Sequence, residues 1–512
     1  MDETVVQIRD TSQTSSATHD AGSGAVHTPL QEDAPRFKKV QKPLRIHFIM
    51  PPISLEERYG KLKDMGTLYP SLGMAAVAAI CEVKGHTVKV TDGEALSLNL
   101  DGIRKELEAF KPDFVGMPTF ATNIDMCHTI AKISKEINPN AKVMLGGAHT
   151  SIFAQHALSS PHVDFGIQSE AEIVFDEFLD ALDQGKDFTH VRGLVYKDGT
   201  GTIQVNPKQK LYPNLNQFPI PARHLFPMEK YHSSANLRGK RTLNMMTSRG
   251  CPYRCTYCSS PQIFGQSFRY LNTENVMKEL RQLRDVYGAD SIQFYDETFT
   301  VHRQRVIDLC DAMIKEKLNM QWACFTRANL VDKELLKKMK EAGCYLIFFG
   351  LESGVQRLIQ LIKKDITLDQ SRNAVKLCKE AGIQAWCSFI LGLPGETKEE
   401  SQQTVNFALE LDPEYVQFPI FMPWPGTAIY DIAKKHGVIL NENLSDYTAW
   451  DKAVYKPHPS REPEEVQKTV QNAYRAFYLR PGYIARKTAD LTFNMPLEKI
   501  WKLTKAGYYT LF

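Results

Sequence analysis

The chain has 512 residues, 62 Lys and Arg against 59 Asp and Glu, a net charge of +3 and a 43% apolar share. That length suggests about three domains, and the apolar share can fill real cores, which excludes a wholly disordered chain. The small net charge gives no reason by itself to expect a nucleic-acid partner.

No run of about 18 uncharged apolar residues is present, so no membrane-spanning helix is expected. The N-terminus lacks the apolar segment of a secretory signal, and a cytoplasmic location is expected. Ten Cys in such a length make no disulfide scaffold. Thiols in a reducing compartment stay reduced, and thiols at fixed spacing read first as a metal site.

Residues 1–42 are rich in Ser, Thr, Asp and Gln with few large apolar groups. Such a segment buries too little surface to offset its ordering entropy, so a disordered tail is expected. From 43 to 190, short apolar runs (RIHFIMPP, HTVKVTD, FVGMPTF, KVMLGGAHT, VDFGIQ) alternate with helical stretches such as GMAAVAAICEVKG and CHTIAKISKEI. This alternation argues an α/β fold with a doubly wound parallel sheet. Ligands of such sheets sit beyond the carboxyl ends of the strands. Polar and Gly-rich residues follow these strands: Pro51-Pro52, Asp92-Gly93, Thr119 and Gly146-Gly147-Ala148-His149-Thr150.

Residues 191–235 read as a hairpin around Asp198-Gly199 and a Pro-rich linker, PNLNQFPIPARHLFP. From 236 to 430 a second alternation supplies six strand candidates: TLNMMTS, SIQFYDETF, MQWACFT, YLIFFGLE, QAWCSFILG and YVQFPIFMP. Six such units suit an open, partial (β/α)6 barrel with its chemistry at the strands' carboxyl ends. Residues 431–512 read as a C-terminal helical region. Near its end Lys499, Trp501, Lys502 and Lys505 precede Tyr508-Tyr509. That mixture fits a helix packed on the barrel, or an interfacial helix with weak membrane association.

Cys251, Cys255 and Cys258 form C-x3-C-x2-C directly after the first strand of the second unit. The spacing puts three thiolates on one tight loop, able to converge on one centre. A four-iron cluster needs four ligands, so this loop leaves one iron open for a substrate or cofactor. Zinc wants a closed shell of four ligands, and no fourth Cys or nearby His stands at such a spacing. The bland alternative is three structural or zinc-binding thiols. Cys81, Cys127, Cys310, Cys324, Cys344, Cys378 and Cys387 are scattered over strand and helix patterns and are expected to be ordinary buried small residues.

The motif C-x3-C-x-aromatic-C, with Tyr257 as the aromatic, at the end of strand one of a βα barrel, resembles the radical S-adenosylmethionine (SAM) superfamily. The resemblance implies that the open iron chelates the amino and carboxylate groups of SAM. It further implies that one electron given to the sulfonium yields methionine and a 5′-deoxyadenosyl radical.

SAM contacts are implied at Tyr257 and at the ends of the later strands. Asp296 and Glu297 end strand two, where a carboxylate would accept from the SAM ammonium; a solvated turn is the bland alternative. Arg327 follows strand three and would meet the SAM carboxylate through its fork, against a plain surface ion pair. Glu352, within Gly350-Leu351-Glu352-Ser353-Gly354, ends strand four, where the family contacts the ribose or methionine part. Ser388 and Gly392 lie at strand five, where the family lays backbone against adenine. Here Ser388 replaces the usual first Gly, and Glu396 falls one place late. Pro423-Trp424-Pro425-Gly426-Thr427 ends strand six and would shape the pocket, while Gly250 and Gly265 serve turn geometry.

The first unit resembles the cobalamin-binding domain that precedes the barrel in one large radical SAM class. The resembling pieces are Pro70-Ser71-Leu72-Gly73, Gly85-His86-Thr87-Val88, Asp92, Gly146-Gly147-Ala148-His149 and Gln168-Ser169-Glu170-Ala171-Glu172, the last departing from the usual G-E-G-E. Cobalamin contacts are thereby implied at Ser71, Leu72, Gly73, Asp92, Gly146 and Gly147. Thr119 and Thr150 would hydrogen-bond corrin amides, and His149 would be a helix start or pocket wall rather than a metal ligand. The D-x-H-x-x-G signature is absent, so no His is assigned to the lower face of cobalt, which is left to water or a non-bonding side chain. A degenerate domain without cofactor is the bland alternative.

Together the two resemblances span Leu44 to about Tyr430. They favour a cobalamin-dependent radical SAM C-methyltransferase acting on an unactivated carbon of a tetrapyrrole, a lipid or another small molecule. The alternative of the same architecture is the oxygen-independent magnesium-protoporphyrin monomethyl ester cyclase. An alternative of another class is a non-catalytic iron–sulfur electron-transfer module, which would need a fully ligated cluster. The partners expected are a small-molecule substrate and an electron donor such as flavodoxin or ferredoxin.

Overall fold

A computed structural model describes residues 37–54, 66–234, 236–444, 447 and 452–494, with side chains to 487. Most of the tail expected over 1–42, and the basic and aromatic stretch at 499–509, lie outside the described residues. Among the described residues no helix is long and apolar enough to cross a membrane.

Strands β1 (Arg45–Met50), β2 (Thr87–Asp92), β3 (Phe114–Pro118), β4 (Lys142–Gly146) and β5 (Phe165–Ile167) run parallel in the order 2-1-3-4-5. Helices pack on both faces, so the central strands bury consecutive apolar residues rather than alternating ones: Phe48 and Ile49 in β1, Phe114 and Val115 in β3, and Val143, Met144 and Leu145 in β4. The strand order reverses at β1, with β2 on one side and β3 on the other. This is where an open sheet leaves a crevice at its carboxyl edge. The Ala-rich helix Leu72–Val83 begins at that edge, capped by Ser71, whose side chain accepts from Met74 N.

The hairpin around Asp198-Gly199 forms as β6 (Leu194–Lys197) and β7 (Ile203–Val205). It is not part of a separate connecting segment. β6 pairs antiparallel with β5 and extends the first sheet. The edge of a short parallel strand still has unpaired amide and carbonyl groups, and the hairpin satisfies them.

The second unit holds β8 (Thr242–Met245), β9 (Ser248–Arg249), β10 (Arg269–Tyr270), β11 (Ser291–Phe294), β12 (Gln321–Thr326), β13 (Cys344–Glu352), β14 (Gln384–Phe389) and β15 (Tyr415–Gln417). Six of these form one parallel sheet in the order 8-11-12-13-14-15, an open barrel. β9 and β10 stand apart as a small antiparallel clasp that pairs Arg249 with Arg269.

The helix Pro463–Tyr478 covers the free side of β15. The Tyr474 hydroxyl accepts from Phe418 N, and the Tyr478 hydroxyl both accepts from Val416 N and donates to Val416 O. A single hydrophobic core runs from Phe48, Phe114 and Phe178 in the first unit to Phe294, Trp322 and Phe389 in the second.

Candidate active site between sheet and barrel

The cysteine loop leaves β9 and returns to β10. Gly250 opens it at φ +83°, and a Cβ there would lie 2.2 Å from Ser267 O, so only glycine closes this turn. Cys251, Cys255 and Cys258 are all half-exposed, whereas the other seven cysteines are buried and unpaired. Burial pushes the Cys258 thiol up to about 11, helped by the thiols of Cys255 and Cys251.

The Cys251 sulfur lies 3.5 Å from Thr298 Oγ1, and Arg327 Nη1 donates to the Cys255 sulfur at 3.4 Å. Among the described residues no three His, Cys, Asp or Glu converge tightly enough for one metal ion. A lone zinc closes its ligands to about 2.0–2.3 Å. A cluster takes each thiolate on a separate iron and needs a wider triangle. Three accessible thiols on one loop are the ligands that a cluster with one open iron takes.

The carboxylates expected to meet SAM divide. Asp296 is fully buried and well partnered: it accepts from Thr247 N, Thr247 Oγ1 and Ser248 Oγ, each at 2.6 Å, and from Arg305 Nη2 at 3.2 Å. It braces the segment leading into the cysteine loop, chiefly through Oδ2, which takes three of the four bonds. Glu297 differs. Its Oε2 is buried without a partner, and burial, aided by the Asp296 charge, pushes its carboxyl up to about 7. A carboxylate held in that state gains from an arriving cation.

Glu352, Tyr257 and Lys364 form a closed triangle at the end of β13. Tyr257 donates to Glu352 Oε1 at 2.7 Å, and Lys364 Nζ donates to the same oxygen at 2.9 Å and to the Tyr257 hydroxyl at 3.0 Å. Glu352 sits at φ +67°, a strained conformation that the triangle holds in place. Arg327 is buried. Its Nη2 donates to Lys364 O, and its guanidinium lies 3.6 Å from the centre of the Tyr253 ring. Its partners are internal groups and a cluster cysteine, so it is neither a surface ion pair nor free to grip a carboxylate.

At strand five, Ser388 lies half-buried on the inner barrel face, in register with Gly350. Gly392 N and Leu393 N both donate to Glu396 Oε2. These two amides are occupied within their own loop, which leaves the Gly392 carbonyl as the backbone group for the adenine contact expected there.

A cavity of about 530 Å³ opens at the carboxyl edge of the first sheet, facing the barrel. Ser71, Leu72, Gly73, Gly146 and Gly147 line it. A Cβ on Gly73 or Gly146 would meet nothing within 4 Å, so the wall is bare at both points. That shape fits a large flat ligand laid against backbone.

The other four expected contacts stand behind this wall. Thr119 and Thr150 bond to each other at 2.8 Å, and Thr119 Oγ1 also reaches Gly146 O. Asp92 accepts from Tyr231 and from Ala95 N. His149 is buried with its Nε2 2.9 Å from His156 Nδ1. These four hold the loops rather than line the cavity.

Two sets of lining residues carry no recognisable motif. Leu215 and Phe218–Pro221 come from the Pro-rich linker, whose extended aromatic–proline run was the available clue. Ser248, Arg249, Ile263 and Phe264 flank the cysteine loop itself. The cavity thus shares a wall with the cysteine loop, through residues other than the three cysteines.

The Gln168–Glu172 run ties the two units together at this wall. Glu170 takes both forks of Arg269, and Arg249 Nη2 donates to Glu172 Oε1 at 2.5 Å. Burial opposes the charge on Glu172, but Arg249 prevails and holds its carboxyl below the usual range. Gly426 in the last barrel loop packs so closely on Ile152 that a Cβ would sit 2.6 Å from its Cγ2.

Comparison with known proteins accords with this layout. Residues 245–408 match the radical SAM superfamily, and residues 62–179 match the B12 binding domain. The chain is 36% identical to an uncharacterized methyltransferase of Pyrococcus horikoshii over 87% of this chain and 95% of that protein. It is 30% identical to the cytidylyl-2-hydroxyethylphosphonate methyltransferase of Streptomyces wedmorensis over 67% and 73%. It is 27% identical to the anaerobic magnesium-protoporphyrin IX monomethyl ester cyclase of Rubrivivax gelatinosus over 81% and 75%. The fold is similar to that of the radical SAM methyltransferase TsrM from Kitasatospora setae, solved with cobalamin and a 4Fe-4S cluster bound. The TM-score is 0.63 at 18% identity, over 77% of this chain and 78% of that one.

The chain belongs to the radical SAM enzymes that carry a B12-binding domain. Its cofactors are those of its two domains, a 4Fe-4S cluster with SAM and a cobalamin.

Proposed function

We propose that the protein transfers a methyl group from cobalamin to an unactivated carbon of a small molecule. One observation carries this reading: the loop of Cys251, Cys255 and Cys258 and the cavity at the first sheet share Ser248, Arg249, Ile263 and Phe264. Radical methyl transfer needs its hydrogen abstraction and its methyl source on either side of one carbon, and a shared wall provides that proximity.

When bound, the cluster supplies the electron that splits SAM, and cobalamin carries the methyl group. The chain's own residues prepare the site. Arg327 donates to the Cys255 sulfur and places positive charge beside it. Glu297 offers its unpartnered oxygen to the SAM ammonium. The Tyr257–Glu352–Lys364 triangle closes the barrel mouth against water. The reading includes a one-electron donor of the flavodoxin or ferredoxin kind, and with it a reducing, cytoplasmic setting.

The test is product accounting in the anaerobically reconstituted, cobalamin-loaded enzyme. Methyl transfer consumes SAM twice, so 5′-deoxyadenosine and S-adenosylhomocysteine should accumulate together. 5′-Deoxyadenosine without S-adenosylhomocysteine favours the ring cyclase instead. An intact SAM pool under strong reduction favours the electron-transfer module.

A further inference from the structure

The inner face of the barrel carries a feature that neither cofactor accounts for. Tyr295, Phe325, Phe348, Trp386 and Tyr415 stand at one level on neighbouring parallel strands, with Phe325 paired to Phe348, Phe348 to Trp386 and Trp386 to Tyr415. Successive ring centres are 5.7, 4.5, 4.9 and 5.2 Å apart, an unbroken aromatic belt. The alternate residues Trp322, Cys324, Ile347, Phe349, Ala385 and Cys387 are buried in or beside the outer layer of helices, so the belt faces the lumen.

A belt that merely filled a core would be fully buried. Phe325, Phe348 and Trp386 are only half-buried, and Tyr295 is 37% exposed. Above the belt stand Gly350, Ser388 and Gln417, in register with one another, small or uncharged. Below it the lumen is closed by Leu237, Ala323, Tyr345 and Leu346. At one end Tyr69 packs on Tyr295 at 5.9 Å, and its near neighbours Ser71, Leu72 and Gly73 line the first cavity. Buried polar atoms at or just below the belt without a partner include Trp386 Nε1, Gln293 Oε1 and Asn244 Oδ1.

Resting on the reading above, we propose that this belt is the substrate platform and that the substrate is a flat, conjugated ring system with little charge. Phe325, Phe348 and Trp386 are stacked on one another at interplanar angles of 23° and 30°. Rings stacked along the sheet turn their edges to the lumen. Ring edges are electropositive and conjugated faces electronegative, so a conjugated ligand laid across the belt gains edge-to-face attraction beyond area burial. A saturated ring gains area alone. A phosphorylated or nucleotide substrate would find no free cation here, because the two nearest, Lys487 over the Tyr415 ring and Lys364 beside Gly350, are already paired with Glu414 and Glu352.

The experiment uses full-length, cobalamin-loaded protein, so that the first cavity is filled. Pyrene is the probe, read by emission anisotropy, with hexadecahydropyrene and cytidine monophosphate as competitors. Saturable binding of one pyrene is expected, with hexadecahydropyrene at least about tenfold weaker and the nucleotide inactive. Phe348→Leu should weaken pyrene by about tenfold, the scale of lost edge-to-face contacts. Trp386→Phe, which keeps a ring, should weaken it by less than about threefold. Cobalamin uptake by each variant, read from its absorption, controls for folding. Equal competition by the saturated ring, unchanged binding in Phe348→Leu, or no saturable binding would overturn the proposal. None of these readouts involves turnover, so each leaves the methyl-transfer reading standing, and failed S-adenosylhomocysteine formation would leave the platform standing.

Discussion

Glu170 grips Arg269 with both carboxylate oxygens, 2.5 Å to Nη2 and 2.9 Å to Nη1. The pair joins the first sheet to the strand that closes the cysteine loop. Their side chains are 9% and 6% exposed, so neither charge has water to fall back on. Glu170→Gln should cost about 3 kcal/mol, the scale for breaking a buried pair. It should appear as a lower Tm and faster loss of iron to a chelator. Unchanged values of both would show that the clamp does not hold the loop.

Cys255→Ala should abolish SAM cleavage to 5′-deoxyadenosine, because one of three accessible thiols is lost. Cys387→Ala, at a fully buried position on β14, should keep cluster absorption near the parent level. Cleavage that survives in Cys255→Ala refutes the cluster assignment.

Gly250→Ala tests the turn that starts the loop. The new Cβ collides with a backbone oxygen, and φ +83° is strained for any side chain. A cost of about 1–3 kcal/mol is expected from the strain alone, with iron content well below parent after reconstitution. Full iron loading would show that the turn adapts.

Gly73→Trp tests the cavity. No atom lies within 4 Å of the position a Cβ would take, so the indole enters empty space and the fold should survive. Cobalamin uptake should fall at least about tenfold, with cluster absorption retained. A variant that still takes up the cofactor at parent affinity places cobalamin elsewhere.

Three histidines of the first unit make it acid-sensitive. Burial, with Lys89 nearby, holds His47 down to about 3. Burial and Lys84 hold His86 to about 4, and burial with His156 and His128 does the same for His149. The unfolded chain binds these protons from about pH 6.5 downward while the folded chain refuses them. Stability is therefore fully present above 6.5 and is lost as pH falls toward 4, at up to about 1.4 kcal/mol per pH unit for each group. Tm measured from pH 7.5 to 4.5 should decline below 6.5, with a shallower decline in His47→Gln. A flat profile would contradict neutral burial of these rings.

The strands of both sheets were legible because buried parallel strands are short apolar runs between helical periods. The cysteine loop was legible because its spacing is local. What escaped were relationships between distant residues. The β9–β10 clasp has two residues per strand, too few for any periodicity. Nothing local to Asp296 shows that Thr247, Ser248 and Arg305 bond to it. Thr119 and Thr150 look like ligand contacts until they are found bonded to each other. Glu396, one place late in its motif, turns out to hold the amides of its own loop.

Tyr474 and Tyr478 occupy the outward amides of Phe418 and Val416, and Tyr478 also the carbonyl of Val416. A protein truncated ahead of Pro463 would bare that strand to any passing chain. Shortened forms made for crystallography should polymerise through it, so this helix serves colloidal health without meeting the chemistry.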